Sequence, residues 1–209
     1  MKNIVILISG RGSNMEALIK AREQGELPVN IAAVISNQAS AKGLETAANA
    51  GIATRVLAHG DFPTREAFDA ALCDVIDPFS PDLVVLAGFM RILTPAFVKH
   101  YENRLFNIHP SLLPAFPGLH THRQALAAGV TTHGCTVHFV TAELDHGPIV
   151  IQASVPVLAD DDEARLAARV LHEEHRIYPQ AVRWFAEGRL QVVNGLVQVA
   201  AAEPGARQG

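Results

Sequence analysis

An asparagine and a histidine stand two positions apart at the end of an apolar run, in the order Asn107-Ile-His109-Pro. Because successive side chains of a strand alternate in direction, Asn107 and His109 are predicted to project from the same face. An amide donor beside an imidazole suits the stabilisation of a developing oxyanion and the movement of its protons. A histidine at the end of a strand can equally be structural, so the pair alone leaves both interpretations open.

A second candidate is the glycine-rich segment GRGSN at positions 10–14, which follows the apolar run 4–8. Glycines let the backbone approach an anion, and the free N–H groups at the start of the next helix would point at it. The third glycine of a dinucleotide fingerprint would fall at Met15, and no Gly-Lys-Ser/Thr of a P-loop follows. The segment is therefore predicted to hold a single phosphate. The alternative is a tight turn in which Ser13 and Glu16 form an S-x-x-E helix cap.

Asp145 lies in the segment LDHGP at positions 144–148, where an ordinary turn aspartate is the alternative to a catalytic acid. The histidines do not predict a metal site: HEEH at 172–175 does not match H-E-x-x-H, and His120 and His122 have no obvious third ligand. No G-x-S-x-G motif presents a serine nucleophile. The expected chemistry is therefore acid–base and electrostatic, with no metal.

The elements that must position these residues alternate between short β-branched runs and longer amphipathic stretches. Strands are predicted at 4–8, 30–35, 54–57, 83–87 and 105–108. Helices are predicted from 13 onward and over 43–50, 64–76, 94–100 and 122–128. Two further strands, 134–140 and 148–157, have hairpin-like spacing. This order predicts an α/β fold: a three-layer, open, mostly parallel sheet with helices on both faces and an antiparallel C-terminal edge.

The last third of the chain is predicted to be a long helix followed by an appendage. Acidic residues at 160–162 favour a helix start, and we expect a break near Pro179 and an end at Gly188. Residues 1–188 are therefore predicted to form a single catalytic domain. Residues 189–209 are predicted to be a C-terminal extension whose end is disordered.

Composition limits the possible partners. The 209 residues include 17 Lys and Arg against 21 Asp and Glu, a net charge of −4, and 49% are hydrophobic. Such a chain lacks the positive surface needed for long nucleic acids, and it has no apolar run long enough for a membrane span. Cys73 and Cys135 form no spaced pair, which indicates a reducing compartment. We expect a cytoplasmic monomer or homodimer that binds small molecules, not nucleic acid or membrane.

Four segments together resemble a known enzyme family. They are ILISGRGSN at 6–14, VLAGFMRIL at 85–93, NIHPSLLP at 107–114 and LDHGP at 144–148. In this order and spacing they resemble the glycinamide ribonucleotide formyltransferases, folate-dependent enzymes of purine synthesis. The last two segments are typical of the wider formyl-folate family, and the first two narrow the resemblance to this member.

The resemblance implies transfer of a formyl group from the cosubstrate 10-formyltetrahydrofolate to the amine of 5-phosphoribosylglycinamide, with no metal. It implies a catalytic trio of Asn107, His109 and Asp145. It places the substrate phosphate at Gly12, Ser13 and Asn14, and the sugar–glycinamide portion at Glu174. The formyl-folate-binding residues that it implies are Arg65, Met90, Arg91, Ile92, Leu93, Asn107, Thr141, Ala142, Glu143, Leu144 and Asp145.

A mechanism argued from the residues agrees with this implication. When an amine attacks a formyl carbon, negative charge gathers on the oxygen, to which Asn107 and a protonated His109 can donate. The Asp145 carboxylate would favour the imidazolium and orient its ring. The segment 117–133 contains two glycines and three histidines, and we expect a mobile lid whose order changes as those histidines charge near pH 6.5.

Two alternatives from other classes stay open at this point. Hydrolysis of formyl-folate would use the same trio with water as acceptor, but such hydrolases carry an additional N-terminal regulatory domain as a family. A non-catalytic nucleotide-binding module would keep the glycine-rich segment without needing Asn107, His109 and Asp145 together. Methionyl-tRNA formyltransferase would require a C-terminal RNA-binding domain and a more basic surface.

Overall fold

The polypeptide folds into alternating strands and helices in a computed structural model that describes residues 1–202. The strands are Lys2–Ile8 (β1), Val29–Ser36 (β2), Thr54–Val56 (β3), Leu83–Leu86 (β4), Leu105–His109 (β5), Thr132–Phe139 (β6), Ile149–Pro156 (β7), Leu190–Val193 (β8) and Leu196–Val199 (β9). The helices are Ser13–Glu23 (α1), Lys42–Asn49 (α2), Arg65–Ile76 (α3), Pro95–His100 (α4), Thr121–Ala128 (α5) and Glu163–Ala186 (α6).

Seven strands form one sheet in the order β3-β2-β1-β4-β5-β6-β7. The first five are parallel, whereas β6 pairs antiparallel with β5 and with β7. The predicted mostly parallel sheet with an antiparallel C-terminal edge is confirmed. The strand order reverses between β1 and β4, and ligands of open α/β sheets bind at the carboxyl ends of strands at such a reversal.

Strand β1 shows why the predicted strands are apolar without alternation. Ile4, Ile6 and Ile8 face a core shared with α1 and α6, whereas Val5 and Leu7 face a second core shared with α3 and α4. Because helices cover both faces of the sheet, each side chain of such a strand is removed from water. The two cores hold the carboxyl ends of β1, β4 and β5 in a fixed arrangement.

Helix α6 continues through Pro179, so the predicted break there is wrong. Proline removes one backbone hydrogen bond, which is a local cost. Tertiary contacts around Pro179 outweigh that cost: Ile177, Tyr178 and Val182 are fully buried. The Tyr178 hydroxyl also donates to the Leu86 carbonyl at 2.7 Å, at the end of β4.

The segment after Gly188 begins with a hairpin, β8–β9, in which Leu190, Val192 and Val197 pack against the larger core. The predicted boundary near residue 188 stays a prediction, and the expectation of a disordered end concerns residues 203–209, which lie outside the described part. Within residues 1–202, no helix combines the length and apolarity needed to cross a bilayer.

Candidate active site

The glycine-rich segment ends in the N-terminus of α1. Gly12 occupies the cap position with a left-handed φ of 68°, and no side chain caps the helix, so the expected Ser13–Glu16 capping box is wrong. The Glu16 carboxylate instead faces the Arg11 side chain at 3.4 Å. A Cβ on Gly12 would lie 3.2 Å from Ile8 Cγ2, so the glycine also permits close packing onto β1. The first amides of α1 have no intrahelical acceptor and are available to an anion.

Asn14 and Glu174 form a buried pair beside this helix start. Asn14 Nδ2 donates to Glu174 Oε1 at 3.2 Å, and the two residues are only 7% and 8% exposed. Burial raises the pKa of the Glu174 carboxyl, and the Asn14 hydrogen bond partly opposes this shift. The structure therefore places Glu174, from α6, next to the glycine-rich segment, and its role in binding the sugar–glycinamide portion stays a prediction.

His175 adjoins this pair and was not singled out from the sequence. Burial lowers the pKa of its imidazole, and its Nε2 is buried without a hydrogen-bond partner among the described residues. The sequence predicts no role for His175 beyond a rejected metal motif, and only the structure shows this histidine near Glu16 of α1.

Asn107 and His109 occupy the carboxyl end of β5, as the alternation of side chains predicts. Across the antiparallel ladder, Asn107 pairs with His138 and His109 pairs with Thr136. The Asn107 side chain is half-buried and borders a cleft, whereas His109 is only 6% exposed.

Asp145 returns to the same place from the loop between β6 and β7. Its Oδ1 lies 3.5 Å from His109 Nδ1, and its Oδ2 accepts the Gly118 N–H at 2.9 Å. His109 Nε2 lies 3.1 Å from the Phe116 carbonyl oxygen. The structure thus brings the predicted trio together, but residues 116–118 cover the His109 ring, which does not line the cleft.

An open cleft lies next to Asn107 and Asp145, and the space between its walls, including the part open to solvent, is about 530 Å³. The residues that line it are Leu86, Phe89, Arg91, Ile92, Leu93, Val98, Asn107, His138, Val140, Thr141, Ala142, Glu143, Leu144 and Asp145. Of the eleven folate-binding positions that the resemblance implies, nine border this cleft. The other two do not: Arg65 is exposed at the start of α3, and the Met90 side chain is 71% exposed, away from the lining.

Gly147 explains how the loop after β6 can turn back toward the sheet. A Cβ at this position would overlap the Phe139 carbonyl oxygen and would lie 3.2 Å from His138 Nδ1. Only glycine permits this approach, which carries Asp145 to His109. Asp145 itself has a left-handed φ of 54°, an uncommon backbone conformation of the kind found at functional sites.

Residues 2–182 match the model of the formyl transferase family. The chain belongs to this family. It is 58% identical over 190 residues to the phosphoribosylglycinamide formyltransferase of Escherichia coli, covering 91% of this chain and 90% of that one. The corresponding protein of Haemophilus influenzae is 44% identical, with 94% and 92% of the chains covered. The crystal structure of glycinamide ribonucleotide transformylase 1 from Symbiobacterium toebii superposes with a TM-score of 0.94 at 49% identity, covering 96% of this chain and 95% of that one.

His138 is a cleft residue of this formyl transferase that sequence reasoning missed. Its Nδ1 lies 2.9 Å from the Phe139 carbonyl, an arrangement that requires a proton on Nδ1 and leaves Nε2 as an acceptor. Burial lowers the pKa of the ring, and Nε2 has no partner among the described residues. The available signal was a histidine between the apolar residues Val137 and Phe139 of a buried strand, since buried polar groups usually have a partner.

Two histidines of the expected lid pair with each other. His122 Nδ1 lies 3.1 Å from His133 Nε2, and the Phe116 ring packs against His133 with 5.9 Å between centroids. Burial lowers the pKa of both imidazoles, to about 4 for His133. Both rings therefore take up a proton less readily in this structure than a free imidazole does, which moves the expected charging of His122 and His133 below pH 6.5.

Proposed function

We propose that this formyl transferase transfers the formyl group of 10-formyltetrahydrofolate to the amine of 5-phosphoribosylglycinamide. The observation that carries the proposal is the clustering of three groups: Asn107 and Asp145 border the cleft, and His109 lies behind Asp145, with 3.5 Å between His109 Nδ1 and Asp145 Oδ1. The cleft and the helix start of α1 both lie at the carboxyl ends of neighbouring strands, so two substrates can approach each other there.

The helix start of α1 suits the ribonucleotide. Amides of Gly12, Ser13 and Asn14 would receive the phosphate, because the start of a helix combines free N–H groups with a favourable dipole. The Glu174 carboxyl would accept hydrogen bonds from the sugar–glycinamide portion, since Asn14 occupies only one of its oxygens.

The cleft suits the folate. Its lining combines apolar side chains such as Ile92, Leu93 and Val140 with a few polar groups, a mixture that is common in small-molecule sites. Residues 141–145 line the cleft, and their backbone would supply carbonyl and amide groups to the edge of a planar heterocycle. This assignment would place the formyl carbon near Asn107 and Asp145.

The chemistry follows from these positions. The glycinamide nitrogen attacks the formyl carbon, a C–N bond forms, and the formyl oxygen becomes negative while the nitrogen becomes positive. Asn107 donates to the oxygen. A proton then leaves the attacking nitrogen, the bond to folate N10 breaks, and N10 receives a proton. The Asp145 carboxylate, directly or through water, is placed to take and return that proton. No step requires a metal ion.

His109 needs a local movement to act as donor. In the structure its Nε2 lies 3.1 Å from the Phe116 carbonyl oxygen, which requires a proton on Nε2, and its Nδ1 lies 3.5 Å from the Asp145 carboxylate. We infer that residues 116–118 shift when substrates bind and free His109 Nε2 for the formyl oxygen. Such gating by a loop is common in enzymes that exclude water from a reactive carbonyl.

A single assay tests the proposal. Formyl-folate is mixed with the protein, with and without phosphoribosylglycinamide, and the folate absorbance is followed. Turnover that depends on the ribonucleotide supports transfer. Turnover without it would indicate hydrolysis, and binding of both ligands without turnover would indicate a non-catalytic module; either result refutes the proposal.

We further propose a cytoplasmic location, consistent with the free thiols of Cys73 and Cys135. The oligomeric state, monomer or homodimer, stays a prediction.

A further inference from the structure

One side of the cleft is formed by a stretch that belongs to no helix or strand. We call residues 90–94 the wall segment. Arg91, Ile92 and Leu93 of this segment line the cleft. Irregular backbone depends on contacts from other elements to keep one conformation, and the position of the wall segment decides the width of the cleft.

The first end of the wall segment is held by a side chain from β1's carboxyl end. The Met90 N–H donates to Ser9 Oγ at 2.8 Å. The Ser9 hydroxyl in turn donates to Asn37 Oδ1 at 2.6 Å, and Asn37 is only 3% exposed. The hydroxyl is therefore held in place by a buried acceptor after β2 while it accepts from the wall segment.

The second end is held by a side chain from α3. The Thr94 N–H donates to Asp69 Oδ2 at 2.7 Å, and the two residues are 5% and 2% exposed. The preceding residue of α3, Phe68, lies beneath the guanidinium of Arg91, with 4.2 Å from the Arg91 Cζ to the ring centroid. Because Thr94 and Asp69 are both buried, the low local dielectric constant makes their hydrogen bond stronger than one exposed to water.

We propose that Ser9 and Asp69 are positioning residues, which hold the two ends of the wall segment and thereby set the affinity for formyl-folate. Neither residue lines the cleft. Their effect therefore passes through the conformation of the segment, which is held in its ligand-binding form before the ligand arrives. The identity of the ligand rests on the proposed function.

Asp69→Ala provides the decisive test, because Asp69 lies on α3, away from the glycine-rich segment. We expect the KM for formyl-folate to rise about tenfold, the equivalent of about 1.4 kcal/mol. The KM for phosphoribosylglycinamide should stay within about twofold of the wild-type value, because its binding site does not include the wall segment. Asp69→Asn keeps an acceptor oxygen for the Thr94 N–H and should restore the formyl-folate KM. General destabilisation would not produce this split between substrates or the rescue.

Asp82→Ala is the matched control. Asp82 Oδ2 accepts the Asn3 N–H at 2.7 Å, the same bond type and length, but next to the amino end of β4 and away from the cleft. Both KM values should remain at the wild-type level in this variant. A folded Asp69→Ala protein with unchanged formyl-folate KM, or one in which both KM values rise together, would overturn the proposal.

A double-mutant cycle tests whether the two contacts hold one unit. Independent contacts would multiply, so Ser9→Ala with Asp69→Ala would raise the formyl-folate KM about a hundredfold. If either loss releases the same segment, Ser9→Ala, Asp69→Ala and the double variant should each raise the formyl-folate KM about tenfold. Multiplying effects would refute the single-unit argument.

Two further measurements keep the outcome clear. If Asp69→Ala does not fold, Asp69→Asn and Ser9→Ala carry the test through the direct binding of folic acid, measured by fluorescence quenching; Ser9→Ala must bind it more weakly and Asp69→Asn must not. A wild-type protein without turnover would refute the proposed function. Wild-type turnover with unchanged folate binding in every variant would refute only the role of Ser9 and Asp69.

Discussion

The role of Asn107 as an oxyanion donor can be tested by Asn107→Ala. The side chain is half-buried and borders the cleft, so its truncation removes a group that faces the ligand and leaves both cores intact. We therefore expect the free energy of unfolding to change by less than about 1 kcal/mol, as for substitutions away from core packing.

The effect on the reaction should be much larger than the effect on stability. Loss of one oxyanion donor typically costs about 3 kcal/mol in the transition state, which corresponds to a decrease in kcat of roughly 10²-fold. The KM values should change little, because the full negative charge on the formyl oxygen exists only after attack has begun. Steady-state kinetics by folate absorbance, together with thermal unfolding of the same preparation, measures both quantities.

Asn107→Asp separates hydrogen-bond donation from side-chain size. The carboxylate has nearly the same shape but accepts hydrogen bonds and repels a developing oxyanion, so kcat should fall at least as far as in Asn107→Ala. A kcat within about threefold of wild type in either folded variant, far from the effect of a lost donor, would refute the oxyanion role.

Three further predictions follow from the site. Asp145→Asn removes the carboxylate that faces His109 and should lower kcat by about 10²-fold or more, measured by the same kinetics; an unchanged kcat would exclude Asp145 as the proton carrier. Glu174→Ala should raise the KM for phosphoribosylglycinamide about tenfold through the lost hydrogen bonds and leave the formyl-folate KM unaltered, and the reverse pattern would contradict the assignment. Because burial lowers the pKa values of His122 and His133, the open loop binds protons more readily, so the closed loop is fully stabilised above about pH 6.5 and loses stability as the pH falls toward 4. Hydrogen-exchange protection factors for residues 117–133 should then be lower at pH 5.5 than at pH 8, and equal values would refute the coupling.

Much of the fold was predictable because β1, β4 and β5 are buried on both faces. In an uninterrupted apolar run such as 83–86, the side chains on both faces of the strand pack against helices, and such a run can be recognised in the sequence. The alternation of side chains likewise predicted that Asn107 and His109 share a face. The predicted Ser13–Glu16 helix cap and the predicted helix break near Pro179 are wrong. The close packing of Gly12 and the burial of α6 outweigh the local preference for a serine cap and for a helix end at proline.

The chemical groups at the ends of the strands can be read from the sequence, since residue type and strand period are properties of the chain alone. The surroundings of these groups depend on the three-dimensional packing. It placed the Phe116 carbonyl and the Gly118 amide over His109 and Asp145, His138 beside Asn107, and Asp69 against the wall segment. These contacts join residues from separate elements, and their geometry depends on how the helices pack onto the sheet, which no local pattern encodes.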